Sequence, residues 1–162
     1  MTRHKTVAAA LALVGGCLGL HRFYLHGLRD TVGWLFPLPS LLGLWGVMRV
    51  RELGQDDPLS WLLIPLLGTT LAVGGLFAVV YALTPKEKWN ARHNPGSPPD
   101  HPAGWTTPLT IAVLIAAMLG GTIAFMSTLA FSFQRYFEHQ VEQARAISQP
   151  THQPVSPPTT RP

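Results

Sequence analysis

Two stretches of the chain, Trp61 to Leu83 and Leu109 to Phe133, run for 23 and 25 residues without one Asp, Glu, Lys, Arg or His. A helix of about 20 mainly apolar residues crosses the hydrocarbon core of a bilayer. Only helices and closed barrels satisfy their backbone hydrogen bonds there. The two runs therefore predict two transmembrane helices, 61–83 and 109–133, each long enough to span with some tilt. Trp61 opens the first, Trp89 lies just past it and Trp105 just before the second, where indole rings prefer the headgroup level.

Composition agrees with an all-α integral membrane protein. Of 162 residues, 47% are hydrophobic and 12% charged, about half the charge of an ordinary soluble domain. That hydrophobicity excludes disorder throughout, and Cys17, alone, excludes a disulfide scaffold. The net charge of +4 does not point to nucleic acid, because the twelve Lys and Arg are scattered beside apolar segments and form no stripe that could track phosphates.

The first third is less regular. Thr6 to Leu20 supplies 15 apolar or small residues, so a first helix, about 6–24, spans only by taking in His21 to Tyr24, with Arg22 snorkelling to the interface. A second segment, about 31–50, holds Pro37 and Pro39, each removing a backbone donor, and reads as a kinked or broken span. The expected architecture is four crossings, with three crossings plus one re-entrant or interfacial piece as the alternative. On four crossings the side with both termini carries Arg3, Lys5, Arg49, Arg51, Arg135 and Arg145, against Arg22, Arg29, Lys86, Lys88 and Arg92. That small excess places both termini in the cytoplasm.

The remaining stretches are connections. Residues 54–60 form a short loop, and 84–108 is too rich in Pro, Gly and polar residues to pack a core. Over 134–147 an apolar face continues from Phe133 through Phe137, Val141 and Ala144, predicting an amphipathic extension of the last helix. The proline-rich tail, 148–162, reads as disordered.

The stretch from Lys5 to Leu53 resembles the TM2 domain family. It has a Lys before a small-residue apolar run, then Gly19, then HRFYL from His21 to Leu25, a short turn, and GLWGVM from Gly43 to Met48. The resemblance implies a helical hairpin in a membrane, in a family without a generally established biochemical activity. Physically, Gly19, His21, Arg22, Phe23 and Tyr24 read as an anchor and turn at the interface, with Phe23 and Tyr24 at the headgroup level and His21 and Arg22 meeting lipid phosphate, or as an interaction motif with Arg22 as the oriented contact of a docking surface. This chain departs from the family at two places. His26 stands where members usually have Gly, and Met48 and Arg49 stand where an acid usually follows the Trp. An ion pair between such an acid and Arg22 would then be absent here.

Other chemistry finds little support. All eight carboxylates lie outside the apolar runs, and no nucleophile and histidine share one, so neither a proton relay nor catalysis is expected. His21 and His26 without nearby Cys or carboxylate support do not fill a zinc site. No metal or cofactor is expected. Cys17 reads as a small packing residue, since a lipobox cleavage at Val14 to Cys17 would remove the helix before the HRFY motif. Gly15 with Gly19, Gly74 with Ala78, and the series Ala112, Ala116 and Gly120 are spaced for close helix packing, within the chain or between copies. The expected role is non-enzymatic: binding or scaffolding other membrane proteins, or itself, in the lipid bilayer. A small transporter or pore and a purely structural membrane protein are the alternatives. Nine Arg against three Lys, with abundant Ala, Gly and Pro, suggest a GC-rich genome and a bacterial inner membrane.

Overall fold

The computed structural model describes residues 2–96 and 107–148. The expected tail after Ser148 and the part of the polar loop over 97–106 lie outside the described residues. Among these, every regular element is helical: α1 (Lys5–Gly15), a 3-10 turn (Gly16–Leu18), α2 (Leu20–His26), α3 (Thr31–Leu35), α4 (Pro37–Leu53), α5 (Pro58–Leu83), α6 (Lys86–His93) and α7 (Thr107–Ser148). Three helical stretches are long and apolar enough to cross a membrane: Thr31–Leu53, Pro58–Leu83 and Pro108–Ser148.

The local chemistry explains the boundaries. Asp30 and Asp57 cap α3 and α5, accepting the backbone N–H groups of Val32 and Ser60 at 3.3 and 3.1 Å, and Pro58 follows at the first helical position. α3 and α4 form one nearly continuous rod, interrupted at Phe36, which keeps helical dihedrals (φ −65°, ψ −43°). Pro37 and Pro39 supply no N–H there, and the Ser40 hydroxyl lies 3.0 Å from the Phe36 carbonyl. The expected break in 31–50 is thus a one-residue interruption at Phe36 between two helices.

The expected single helix over 6–24 is corrected. α1 stops at Gly15, the chain tightens into the 3-10 turn, and Gly19 takes a left-handed conformation (φ 71°) that a side chain would strain. α2 then runs back beside α1. The His4 N–H donates to the Tyr24 hydroxyl at 3.0 Å, and the Arg3 guanidinium donates to the Leu25 carbonyl. Residues 3 and 25 are therefore side by side, whereas four crossings would put them a membrane thickness apart. The physical reason is length: Lys5–Leu18 rises only ~21 Å as helix, short of the ~30 Å hydrocarbon core. Of the first two expected segments, the one that stood in doubt, 31–50, lies in a stretch long and apolar enough to span, and the short piece is Lys5–Leu18.

α5 is the axis of the bundle. α4 lies against its first half, where a methyl at Gly46 would fall 2.6 Å from Leu63 Cβ. α1 lies against its second half, where a methyl at Gly16 would fall 2.6 Å from Gly74 Cα. α7 crosses at Gly75 and Gly121. The buried side chains at these contacts are small, with Ala8, Ala9, Ala12 and Ala78 at zero exposure, as expected where helices associate by close backbone approach. α7 is one unbroken helix of 42 residues, about 63 Å long, so the expected span 109–133 and extension 134–147 are a single rod.

One connection packs against expectation. Within the polar loop, α6 docks on the bundle through Trp89, which is 1% exposed. Its indole N–H donates to the Arg3 carbonyl at 2.7 Å. Asn94 and Arg3 exchange two further bonds of 2.8 and 3.1 Å. One large ring with a satisfied N–H is enough to anchor a helix that is otherwise polar.

The bundle therefore has two unlike ends. At the proximal end, where α1 begins, α2 stops and α6 docks, lie Arg3, Lys5, Arg22 and Arg29, with Lys86, Lys88 and Arg92 on α6. Asp30 and Glu87 are its acids among the described residues. At the distal end, where Arg135 reaches Gln55 at 3.4 Å, Arg49, Arg51, Arg135 and Arg145 face Glu52, Asp56, Asp57, Glu138 and Glu142. The near balance of cations expected from four crossings becomes seven against four.

Candidate functional site: the HRFY turn

α2 is two turns long, and its i, i+4 pairs decide what each motif residue does. His21 and Leu25 share the inner face and are both buried. Arg22 and His26 share the face toward the turn that leads to α3. The HRFY residues are thereby divided between the bundle interior and a polar latch at its edge.

His21 has zero exposure. Its ring meets Phe36 edge-on at 5.5 Å, Phe77 at 5.0 Å and Tyr81 at 5.9 Å. Among the described residues neither ring nitrogen has a hydrogen-bond partner, and a buried polar group in that state normally costs stability. Arg22 grips Asp30 with two bonds, Nε to Oδ2 at 2.6 Å and Nη2 to Oδ1 at 3.3 Å. His26 Nδ1 stands 3.8 Å from the same carboxylate. The bond from Arg22 holds the Asp30 carboxyl below the usual carboxylate range, helped by the Val32 N–H and His26. Phe23 lies against Gly33 and 5.2 Å from the Trp34 ring, and Tyr24 accepts the His4 N–H. Gly19 provides the bend and abuts the Gly33 carbonyl and Phe36.

Each residue of the motif is consequently spent inside the protein. An acid shortly after Trp45 is absent, as the sequence shows, and Arg22 pairs instead with Asp30, eight residues after it. Its signal was present in the sequence as an Asp directly before a helix. The same device recurs at the other end of α4. Arg49 grips Asp57 with bonds of 2.8 and 2.9 Å, and Asp57 caps α5. The bonds from Arg49, then those from Ser60, hold the Asp57 carboxyl far below its ordinary value.

Lys5, the basic residue ahead of the small-residue run, donates to the Ala82 and Thr84 carbonyls at 3.2 and 3.0 Å. It closes the C-terminal end of α5, where the helix dipole favours a cation. Burial lowers its proton affinity, with Lys86 adding to that and Glu87 opposing it.

The packing residues divide similarly. Gly74 and Ala78 meet α1 through Ala12 and Gly16. Gly15 faces the Leu20 side chain of its own hairpin, so the expected Gly15–Gly19 pair is not a helix-packing face. On α7 the buried Ala117 and the half-buried Gly121 meet Gly75. Ala112 and Ala116 are exposed and Gly120 has open space beside it. The expected series on this helix is therefore off the contact by one residue, because α5 approaches from the side of Ala117. His21 and His26 do not converge, one facing rings and the other Asp30.

Among known proteins, no curated protein and no solved structure matches the chain. The family model of the TM2 domain matches residues 1–50, the stretch that contains the α1–α2 hairpin, the Arg22–Asp30 latch and most of α4. The first fifty residues of this chain are thus similar to the TM2 domain.

Proposed function

We propose that this is a non-enzymatic, multi-pass membrane protein that binds or scaffolds other membrane components through the outward face of α7, with the HRFY turn as its internal latch. The observation that carries this reading is the one-sided packing of α7. It buries Ala117 against α5 while the stripe Ala112, Ala116 and Gly120 stays open beside exposed Ile115, Met118 and Leu119. Small residues at that spacing let another helix come close. On this reading residues 5–26 form a re-entrant hairpin and the chain crosses three times. The seven-to-four bias of Lys and Arg supports the proximal end, with the N-terminus, on the cytoplasmic side of a bacterial inner membrane.

Crosslinking in intact membranes tests the reading, comparing wild type with Ala116→Leu/Gly120→Leu. A crosslinked species present in the wild type and lost in the variant, at equal protein level, supports it. An unchanged species, or none in either protein, sinks it.

A small transporter is the second reading, favoured by His21. A buried imidazole without a partner among apolar helices is a common mark of a transport path. Pro37 and Pro39 interrupt the hydrogen bonding of the helix beside it. Liposome flux that disappears in His21→Phe supports this reading, and equal flux in both proteins, or none, removes it.

A further inference from the structure

Among the described residues, the proximal end gathers seven cations against two acids, Asp30 and Glu87. Its ion pairs among those residues are those of Arg22 and His26 with Asp30. Arg3 spends its guanidinium on the Leu25 carbonyl, an uncharged acceptor. Lys86, Lys88 and Arg92 are exposed on α6, and Arg29 is exposed on the α2–α3 turn. The α6 cations are far in sequence from Arg3 and Arg29, and a built joint brings α6 and the N-terminus together. Trp89 and Asn94 clamp the Arg3 backbone, and the Arg3 side chain reaches the end of α2.

His93 sits where the three segments meet. Its ring is 4.4 Å from Trp89. Burial first, then Arg92, His26 and Arg3, lower its proton affinity. A half-buried imidazole surrounded by three basic groups from α6, α2 and the N-terminus describes a place where an anion is electrostatically favoured. Among the described residues the distal end has no such excess, since its five carboxylates outnumber its four cations.

We propose that this surface, centred on His93 and Arg92 with Arg3, Lys86 and Lys88 around it, is a seat for the phosphate headgroup of an anionic phospholipid. Its position selects lipid as the source of the phosphate. The surface lies where the apolar helices α1 and α5 end, beside Tyr24 and Trp89, at the depth where aromatic rings and headgroups meet. A basic cluster at that depth recognises anionic headgroups. The site does not depend on the role proposed for α7.

The full chain purified in mild detergent and titrated with phosphatidylglycerol or phosphatidylcholine, with retained lipid counted by native mass spectrometry, tests the assignment. The wild type should retain phosphatidylglycerol at least tenfold more tightly than phosphatidylcholine. Lys86→Gln, Lys88→Gln and Arg92→Gln change exposed side chains on α6, and each should weaken retention about fivefold. The distal pair Arg51→Gln/Arg145→Gln should leave retention unchanged. In NMR titrations the His93 proton affinity should rise on adding phosphatidylglycerol and not on adding phosphatidylcholine. Equal retention of the two lipids, or equal weakening by the proximal and distal variants, overturns the proposal. So does a rise at His93 of the same size with millimolar inorganic phosphate, which would make the site a free-phosphate site.

Discussion

Arg22 and Asp30 form a two-point ion pair eight residues apart, and the same carboxylate caps the helix that follows. Arg49 and Asp57 repeat the arrangement at the other end of α4. In each case the arginine comes from the helix before a turn and the aspartate begins the helix after it. The pair therefore sets the angle at which one helix leaves the other, which neither a cap nor an ion pair does alone.

The first latch should behave as a unit. Arg22→Ala and Asp30→Ala should each lower the melting temperature in detergent, and the double variant should fall no further than the more damaging single one. Fully additive losses would show that the two residues act separately.

Acid should open both latches. The folded carboxyls of Asp30 and Asp57 titrate below their ordinary value, so their stabilisation is complete above the unfolded value of about 4. It is lost as pH falls through the lower folded values. The melting temperature should be insensitive to these groups between neutral pH and about pH 5, then decline below about pH 4. Asp57→Asn should flatten that decline. A decline of unchanged size in Asp57→Asn would assign it to other groups.

Glycines on the two sides of the bundle should differ sharply. Gly16→Val drives a side chain into the Gly74 backbone and should cost about 1–3 kcal/mol, as overpacking does. Gly120→Ala meets open space and should stay within about 0.5 kcal/mol of wild type. Thermal denaturation of both variants in one detergent checks the contrast, and equal losses would contradict the packing of α1 on α5.

The returning hairpin predicts a labelling pattern. In a Cys17→Ser background, Thr2→Cys, Leu28→Cys and Lys88→Cys should react with a membrane-impermeant thiol reagent from one side, and Gln55→Cys and Glu142→Cys from the other. Labelling of positions 2 and 55 from the same side would restore four crossings.

How much of this was legible in the sequence depends on the kind of force involved. α5 and α7 were readable because burial in lipid demands uncharged length, which a sequence displays directly. The break at Gly16–Gly19 was not, since a hydropathy pattern treats glycine as neutral and only tertiary packing selects the left-handed turn. The shortfall of Thr6 to Leu20 against a full span was the visible warning. α6 was missed because a single tryptophan anchors it, and composition averages that residue away. Asp30 was missed because the family pattern directs attention to an acid after the Trp of α4, while this chain places its acid before α3. On α7 the spacing of small residues was read correctly in kind and one position off in phase, as two interleaved stripes, Ala112/Ala116/Gly120 and Ala117/Gly121, fit the same rule.

The orphaned imidazole also has a thermodynamic signature. Replacing His21 with Phe removes two unpaired nitrogens and keeps a ring among Phe36, Phe77 and Tyr81. The melting temperature should stay the same or rise. A marked fall would show that the ring nitrogens have partners in the native protein.

The hairpin of α1 and α2 also bears on how the protein is made. On the three-crossing topology proposed above, a segment that dips into the bilayer and comes back leaves every charge before Thr31 on the side where synthesis delivered it. Arg22 and Arg29 would not be carried through the hydrocarbon, nor would the N-terminus. Of the described segments, that topology translocates the short, capped turn between α4 and α5 and the far end of α7. The Arg49–Asp57 pair lets that turn travel with one cation and one anion already matched, so an insertion machine handles a small, nearly neutral loop rather than a string of bare charges.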